Sequence, residues 1–158
     1  MKRSLYATFM NVGTETTPDY ARMGKGISEM KEAYNAEEES NQYIHEDSAT
    51  NEVLSYSPTF DVTQKCYVGE KIFEFVDEKR KNLAVEEDAK TDCLKVYLYS
   101  QLAENIFEAA KINTTLVIGD FDAKEITYNV KQNGNQETGY VTIETNGKVT
   151  FTAGKYTA

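Results

Sequence analysis

The strongest constraint on this chain is a period-two alternation of apolar and polar residues that returns again and again after residue 53. Leu54, Tyr56, Pro58, Phe60 and Val62 alternate with Ser55, Ser57, Thr59 and Asp61. Leu94, Val96 and Leu98 alternate with Cys93, Lys95, Tyr97 and Tyr99. Successive side chains of a strand point to opposite faces of a sheet, so this spacing predicts half-buried strands. Pro58 has no N–H to give to a ladder, which puts the first of them at an edge or at a bulge. Ile112–Ile118 and Ile126–Val130 are rich in β-branched residues and read as two more strands. Asn133-Gly134 and Asn146-Gly147 carry the dipeptide that most favours a two-residue hairpin turn. The last hairpin is expected between Tyr140–Ile143 and Lys148–Phe151.

One segment breaks the alternation. Val68, Ile72, Phe75, Val76 and Leu83 recur at helical spacing, with acids early and bases late, as the helix dipole prefers. A single helix is therefore expected over about residues 69–82. Leu102–Ala110 is ambiguous, and its composition permits a short helix. Many short strands and one helix predict a mainly β fold, an antiparallel β-sandwich or barrel with one flanking α-helix. At 158 residues the chain fits one domain, residues 1–158, able to bury a core without disulfide or metal.

Charge divides the sequence unevenly. Seventeen Lys and Arg stand against 26 Asp and Glu, a net charge of −9. Residues 1–28 balance at +2 and residues 29–52 at −7. Most of the excess acid lies in a polar stretch at about residues 35–57, read as a long exposed acidic loop. Loops of this length inside a compact domain usually carry function or are disordered. So acidic a chain is poorly suited to gripping nucleic acid, which requires clustered Lys and Arg. No apolar run approaches the ~18–20 residues of a bilayer span, so no membrane role is expected. Met1-Lys2-Arg3-Ser4-Leu5 gives way at Thr8 and Asn11 with no small-x-small cleavage site, so the expected place of synthesis is the cytoplasm.

Catalytic patterns are missing. Cys66 and Cys93 form no Cys-x-x-Cys pair, and with one histidine they build no four-ligand zinc site. Both sit in apolar stretches and read as reduced core residues; a disulfide between them is allowed but not suggested. His45 lies beside Glu46 and Asp47, and there is no Gly-x-Ser-x-Gly elbow to supply a nucleophile. Gly24-Lys25-Gly26 lacks the rest of a phosphate loop. Asp120–Glu125 lacks the glycine and spacing of a calcium loop and reads as a turn between strands. Asn113-Thr114-Thr115 matches a glycosylation acceptor that a chain made in the cytoplasm would not use. No enzyme activity, cofactor or metal is expected. Eleven tyrosines and no tryptophan suit strand faces and subunit contacts.

Taken in order, these features resemble the tail tube (major tail) proteins of long-tailed phages and prophages. The resemblance runs from Gly24-Lys25-Gly26-Ile27-Ser28-Glu29-Met30 through Tyr34–Glu39, Tyr43-Ile44 and Tyr56–Phe60. It continues in the helix Val68–Phe75 and ends in Ile126–Gly134 with Thr138-Gly139. It implies a β-sandwich subunit that forms hexameric rings, stacked into a hollow tube through which the genome passes. The partners implied are further copies of itself and other tail proteins, with DNA passing unbound and the virion tail as final location. The stretch from about Asn35 to Ser57 would reach the neighbouring ring, with Glu37, Glu38, Glu39, Glu46 and Asp47 facing the lumen or the ring junction. Tyr56, Pro58 and Phe60 would lie on a strand that pairs between subunits. Ile27, Met30, Ala33 and Tyr34 fit helical spacing, whereas the family implies a strand there, and the strand is adopted. The inner tube of a contractile injection machine shares these expectations. A small β-sandwich binding module that uses its loops to recognise a ligand or protein is the alternative function.

Overall fold

The computed structural model describes residues 1–158. After one 3-10 turn, Arg3–Leu5, the chain forms strands β1 (Tyr6–Asn11), β2 (Tyr20–Arg22), β3 (Ile27–Ala33), β4 (Glu37–Asn41), β5 (Thr50–Ser55) and β6 (Thr59–Lys65). Helix α1 (Lys71–Lys81) and a 3-10 turn at Glu86–Ala89 follow. Four strands complete the fold: β7 (Lys90–Ala103), β8 (Ile106–Phe121), β9 (Glu125–Ile143) and β10 (Val149–Ala153). Eight of the ten strands make one antiparallel sheet in the order β2-β1-β7-β8-β9-β6-β3, with β10 added on β9. The sheet curls into a half-barrel. The mainly β, antiparallel architecture with one helix agrees with the sequence reading.

Strand β9 is the spine. One of its edges pairs with β8 along most of its length, and the other is shared by β6 over residues 125–131 and β10 over residues 139–143. The concave face buries Met10, Phe60, Val62, Cys93, Ile112, Leu116, Ile126, Tyr128 and Val130 beneath Ile72, Phe73 and Val76 of α1. On the opposite face, Ala7, Phe9, Leu94, Val96, Ala109, Val141 and Val149 form a second cluster. Strand β7 is therefore buried on both sides from Cys93 to Val96.

Helix α1 is set by its own first turn. The Glu70 carboxylate caps it by accepting from Phe73 N at 2.8 Å, and also accepts from Gln64 Nε2 at 3.0 Å. Gln64 Oε1 in turn accepts from the Tyr128 hydroxyl at 3.0 Å, so the cap reaches into the buried sheet. Lys79, Arg80 and Lys81 occupy the last turn, where the dipole favours them. Leu83 leaves the helix at φ 48°.

The sheet corrects four local expectations. Leu54–Val62 is two strands, because the chain turns between Ser55 and Thr59. Pro58 is buried there, and its carbonyl accepts from Gln132 N at 3.0 Å. Leu102–Ala110 contains no helix: β7 runs to Ala103, Asn105 turns at φ 60°, and β8 begins at Ile106. Ladder pairing on both sides of β8 outweighs a weak helical preference there. Asn133-Gly134 makes no hairpin but sits inside β9 at a bulge. Lys111 pairs with Glu137 and Asn113 with Asn133, so between these pairs one residue of β8 faces three of β9, and Gly134 supplies φ 66°. The acidic segment is a β-hairpin, β4–β5, joined to no other strand, and not an irregular loop.

Other expectations agree. Ile27–Ala33 is a strand, Asn146-Gly147 turns β9 into β10, and Asp120–Glu125 turns β8 into β9. At that turn the Asp122 carboxylate accepts from the N–H groups of Lys124 and Glu125, which hold its pKa below the usual carboxylate range. Both cysteines are free; Cys93 is buried and Cys66 only partly so.

Replacing Glu70 by Ala removes a helix cap and strips Gln64 of its acceptor. The expected cost is about 1–2 kcal/mol, read as a lower midpoint in urea denaturation with an unchanged slope.

Candidate assembly interface

Strand β3 is an edge strand, hydrogen-bonded only to β6. Across the mouth of the half-barrel it faces β1 and β7, and one buried cluster of side chains bridges the gap. Lys95 Nζ of β7 lies 2.6 Å from Glu32 Oε1 of β3, with side-chain exposures of only 3% and 12%. The Tyr6 hydroxyl of β1 donates to Glu32 Oε2 at 2.8 Å. Lys95 Nζ also stands 5.7 Å from the Tyr34 ring centroid and 5.6 Å from that of Phe60, within cation–π range. Tyr97 packs against Tyr6 on one side and Tyr99 on the other, at 5.8 Å each. Burial, reinforced by Glu32, pushes the Tyr6 phenol far above its ordinary value. Burial and the charges around Tyr34 and Glu32 push Tyr97 up to about 12. Tyr6 therefore keeps its proton and remains a donor to Glu32.

Three residues beyond Glu32 the chain leaves the sheet. Asn35 turns at φ 50° and its side-chain amide donates to Ser57 O at 3.0 Å, while Ser57 N donates to Tyr34 O at 2.9 Å. Tyr34 and Tyr56 meet edge to face at 6.3 Å. These contacts clamp the base of an arm formed by β4 and β5. The arm pairs Glu37 with Ser55, Glu38 with Val53, Glu39 with Glu52, Ser40 with Asn51 and Asn41 with Thr50. Between Tyr34 and Ser57 there are six acids and no Lys or Arg. Glu39 and Glu52 stand directly opposite each other, an unfavourable placement for like charges.

The five acids singled out from sequence all lie on this arm, and each has a distinct place. Glu37 accepts from Ser55 Oγ at 3.2 Å near the base. Glu38 and Glu39 are exposed along β4. Glu46 shapes the tip turn: its Oε2 accepts from Tyr43 N and Thr50 Oγ1, both at 3.4 Å. Asp47 is exposed beside it. At the tip, Tyr43 stacks on His45 at 6.2 Å, and Ile44 is fully exposed at 106%. Val53, Leu54 and Tyr56 are also exposed, so the arm pairs excess negative charge with uncovered apolar surface.

The proposed contact strand fares differently. Tyr56 is exposed, but Pro58 is buried and Phe60 is 2% exposed within the concave core. Only Tyr56 is free to touch another molecule, because β6 turns Phe60 toward α1 and Lys95. The bridging cluster and the groove beside it are absent from the sequence reading. The one available signal was Lys95, a cation set inside an apolar alternating run. Beside the cluster, a groove of about 650 Å³ is lined by Tyr6, Met23, Ile27, Met30, Tyr34 and Phe60, with Arg3 and Glu32.

No three His, Cys, Asp or Glu side chains come together as a metal site, and no helix is long and apolar enough to cross a membrane. No protein-family model matches the chain, and no curated protein matches it.

Truncating Lys95 to Met leaves Glu32 buried without its cation. The expected loss is roughly 3–5 kcal/mol in chemical denaturation, with the Lys95→Met/Glu32→Leu double variant recovering much of it. The raised tyrosine pKa values set a pH dependence. For Tyr97 a folded-state value above the unfolded value near 10 favours the neutral phenol, so its contribution is complete below about pH 10 and lost as pH rises through about 12. Thermal melts should show Tm falling across that window, and Tyr97→Phe should flatten the fall.

Proposed function

We propose that this chain is a structural subunit that self-assembles into stacked hexameric rings, forming the tail tube of a long-tailed phage or prophage. The observation that carries this reading is the β4–β5 arm. It is a hairpin with no core of its own, clamped at its base to a curled sheet and presenting exposed apolar residues to solvent. A two-stranded hairpin is marginally stable in water, and an arm of this kind gains a stable setting when it lies against another molecule. The sheet has three edge strands, β2, β3 and β10, able to pair or pack between copies. Resemblance to tail tube proteins over most of the chain supplies the ring number and the genome conduit.

The chemistry suits a conduit. A net charge of −9 disfavours adhesion of duplex DNA, which carries one charge per ~1.7 Å of axis. Under this reading Glu37, Glu38, Glu39, Glu46 and Asp47 line the lumen or the junction between rings, and DNA passes without specific binding. Other tail proteins would meet the tube at its ends, and the assembled protein would reside in the virion tail. No catalytic step is assigned to it. The groove beside β3 favours a second reading, a β-sandwich module that binds a ligand or protein.

Electron microscopy of the concentrated protein separates the two. Rings or tubes are expected, and replacement of residues 37–55 by a short Gly-Ser link should leave a folded protein that no longer stacks. A strict monomer at every concentration would reject the tube and favour the binding module. Charge reversal of Glu37–Glu39 is expected to impair stacking or genome release; normal particles with normal release would remove those residues from the lumen and the junction.

A further inference from the structure

The groove beside β3 and the arm are complementary in both shape of chemistry and sign of charge. The groove is lined mainly by Tyr6, Met23, Ile27, Met30 and Tyr34, an apolar surface unusual for the outside of a chain this polar. Its one carboxylate, Glu32, is already engaged by Lys95 and Tyr6. Arg3 lines the groove, its guanidinium donating to Met30 O at 3.3 Å, and Arg22 reaches the adjoining Ser4 O at 3.4 Å. Lys25 lies in the β2–β3 turn at the same end. The arm offers the counterpart: a fully exposed Ile44 and a half-exposed Tyr43 at its tip, flanked by Glu46 and Asp47.

Polarity along β3 decides how the two could meet. The arm departs from the Ala33 end of the strand, whereas Arg22 and Lys25 stand at the Ile27 end. The arm strands pair only with each other and do not fold back onto the groove of their own chain. The groove runs from Met23 and Ile27 to Tyr34 at the base of the arm, so arm tip and groove are different patches; a contact between different patches is heterologous, and heterologous contacts propagate from copy to copy.

We propose that the arm tip, Tyr43-Ile44, seats in the β1–β2–β3 groove of a second copy of this chain, with Glu46 and Asp47 against Arg3, Arg22 and Lys25. This deepens the tube reading and rests on it, since it names the socket into which each subunit plugs the next. Ile44 and Tyr43 supply the apolar anchor, and the charges fix the partner and its direction. The absence of any Lys or Arg on the arm prevents one arm from pairing with another, so free subunits stay apart until arm meets groove.

The test uses the full chain carrying reversed charges at exposed positions. An arm variant carries Asp47→Lys, exposed at the tip; a groove variant carries Arg22→Glu and Lys25→Glu. Each alone is expected to raise the concentration needed for assembly, followed by light scattering and microscopy, by at least ~10-fold. An equimolar mixture is expected to assemble again, because the unchanged arm of one meets the unchanged groove of the other and the two reversed surfaces also match. Ile44→Asp should block assembly in any mixture. Circular dichroism melts matching the parent protein establish that each variant folds.

If the parent assembles but the mixture does not, or if Ile44→Asp assembles normally, the socket is overturned while the tube reading stands. A parent protein that stays monomeric at every concentration overturns both.

Discussion

The half-barrel depends on a buried ion pair. Strand β3 has a backbone partner on one side only, and nothing in the hydrogen-bond ladder draws it toward β1 and β7. Glu32 does so by reaching Lys95 and the Tyr6 hydroxyl across the opening. A buried charge pair is costly to desolvate and contributes little net stability against an apolar replacement, but it enforces one arrangement, since either partner alone would be left uncompensated. In this protein that arrangement matters because the arm begins three residues after Glu32. Fixing β3 fixes the direction in which the arm departs.

The molecule therefore joins two regions of unlike character. The body has apolar clusters on both faces of its sheet, a helix capped into the buried Gln64–Tyr128 pair, and a long central strand shared by three neighbours. The arm has backbone pairing, a clamp at its base, and side chains exposed almost throughout. Glu39 and Glu52 oppose each other where a stable isolated hairpin would pair opposite signs. Such an arm leaves its charge and its apolar tip uncovered in the single chain.

Much of this was legible in the sequence. Alternation identified β6, β7 and the last hairpin, and helical spacing with graded charge located α1 within a few residues. The exposed acidic stretch was also visible as a concentration of charge with few apolar residues. Its hairpin was not, because β4 and β5 bury nothing and so lack the apolar alternation by which strands are recognised. Asn133-Gly134 misled for a related reason. The dipeptide reports tolerance of positive φ, which a bulge inside a long strand needs as much as a turn does. Pro58 and Phe60 were placed on an outer strand because alternation tells which residues share a face, without telling which face is covered.

The sequence by itself determined the β-rich class, the single helix, the lack of catalytic patterning and the location of excess acid. These follow from local spacing and composition, which act within a few residues of one another. Tertiary structure alone decided that Lys95 meets Glu32 across 63 positions of chain, that β3 forms an edge, and that Arg3 lines an apolar groove beside it. Those outcomes depend on how far the sheet curls, and curl is a sum over strand pairings distant in sequence that no single stretch encodes.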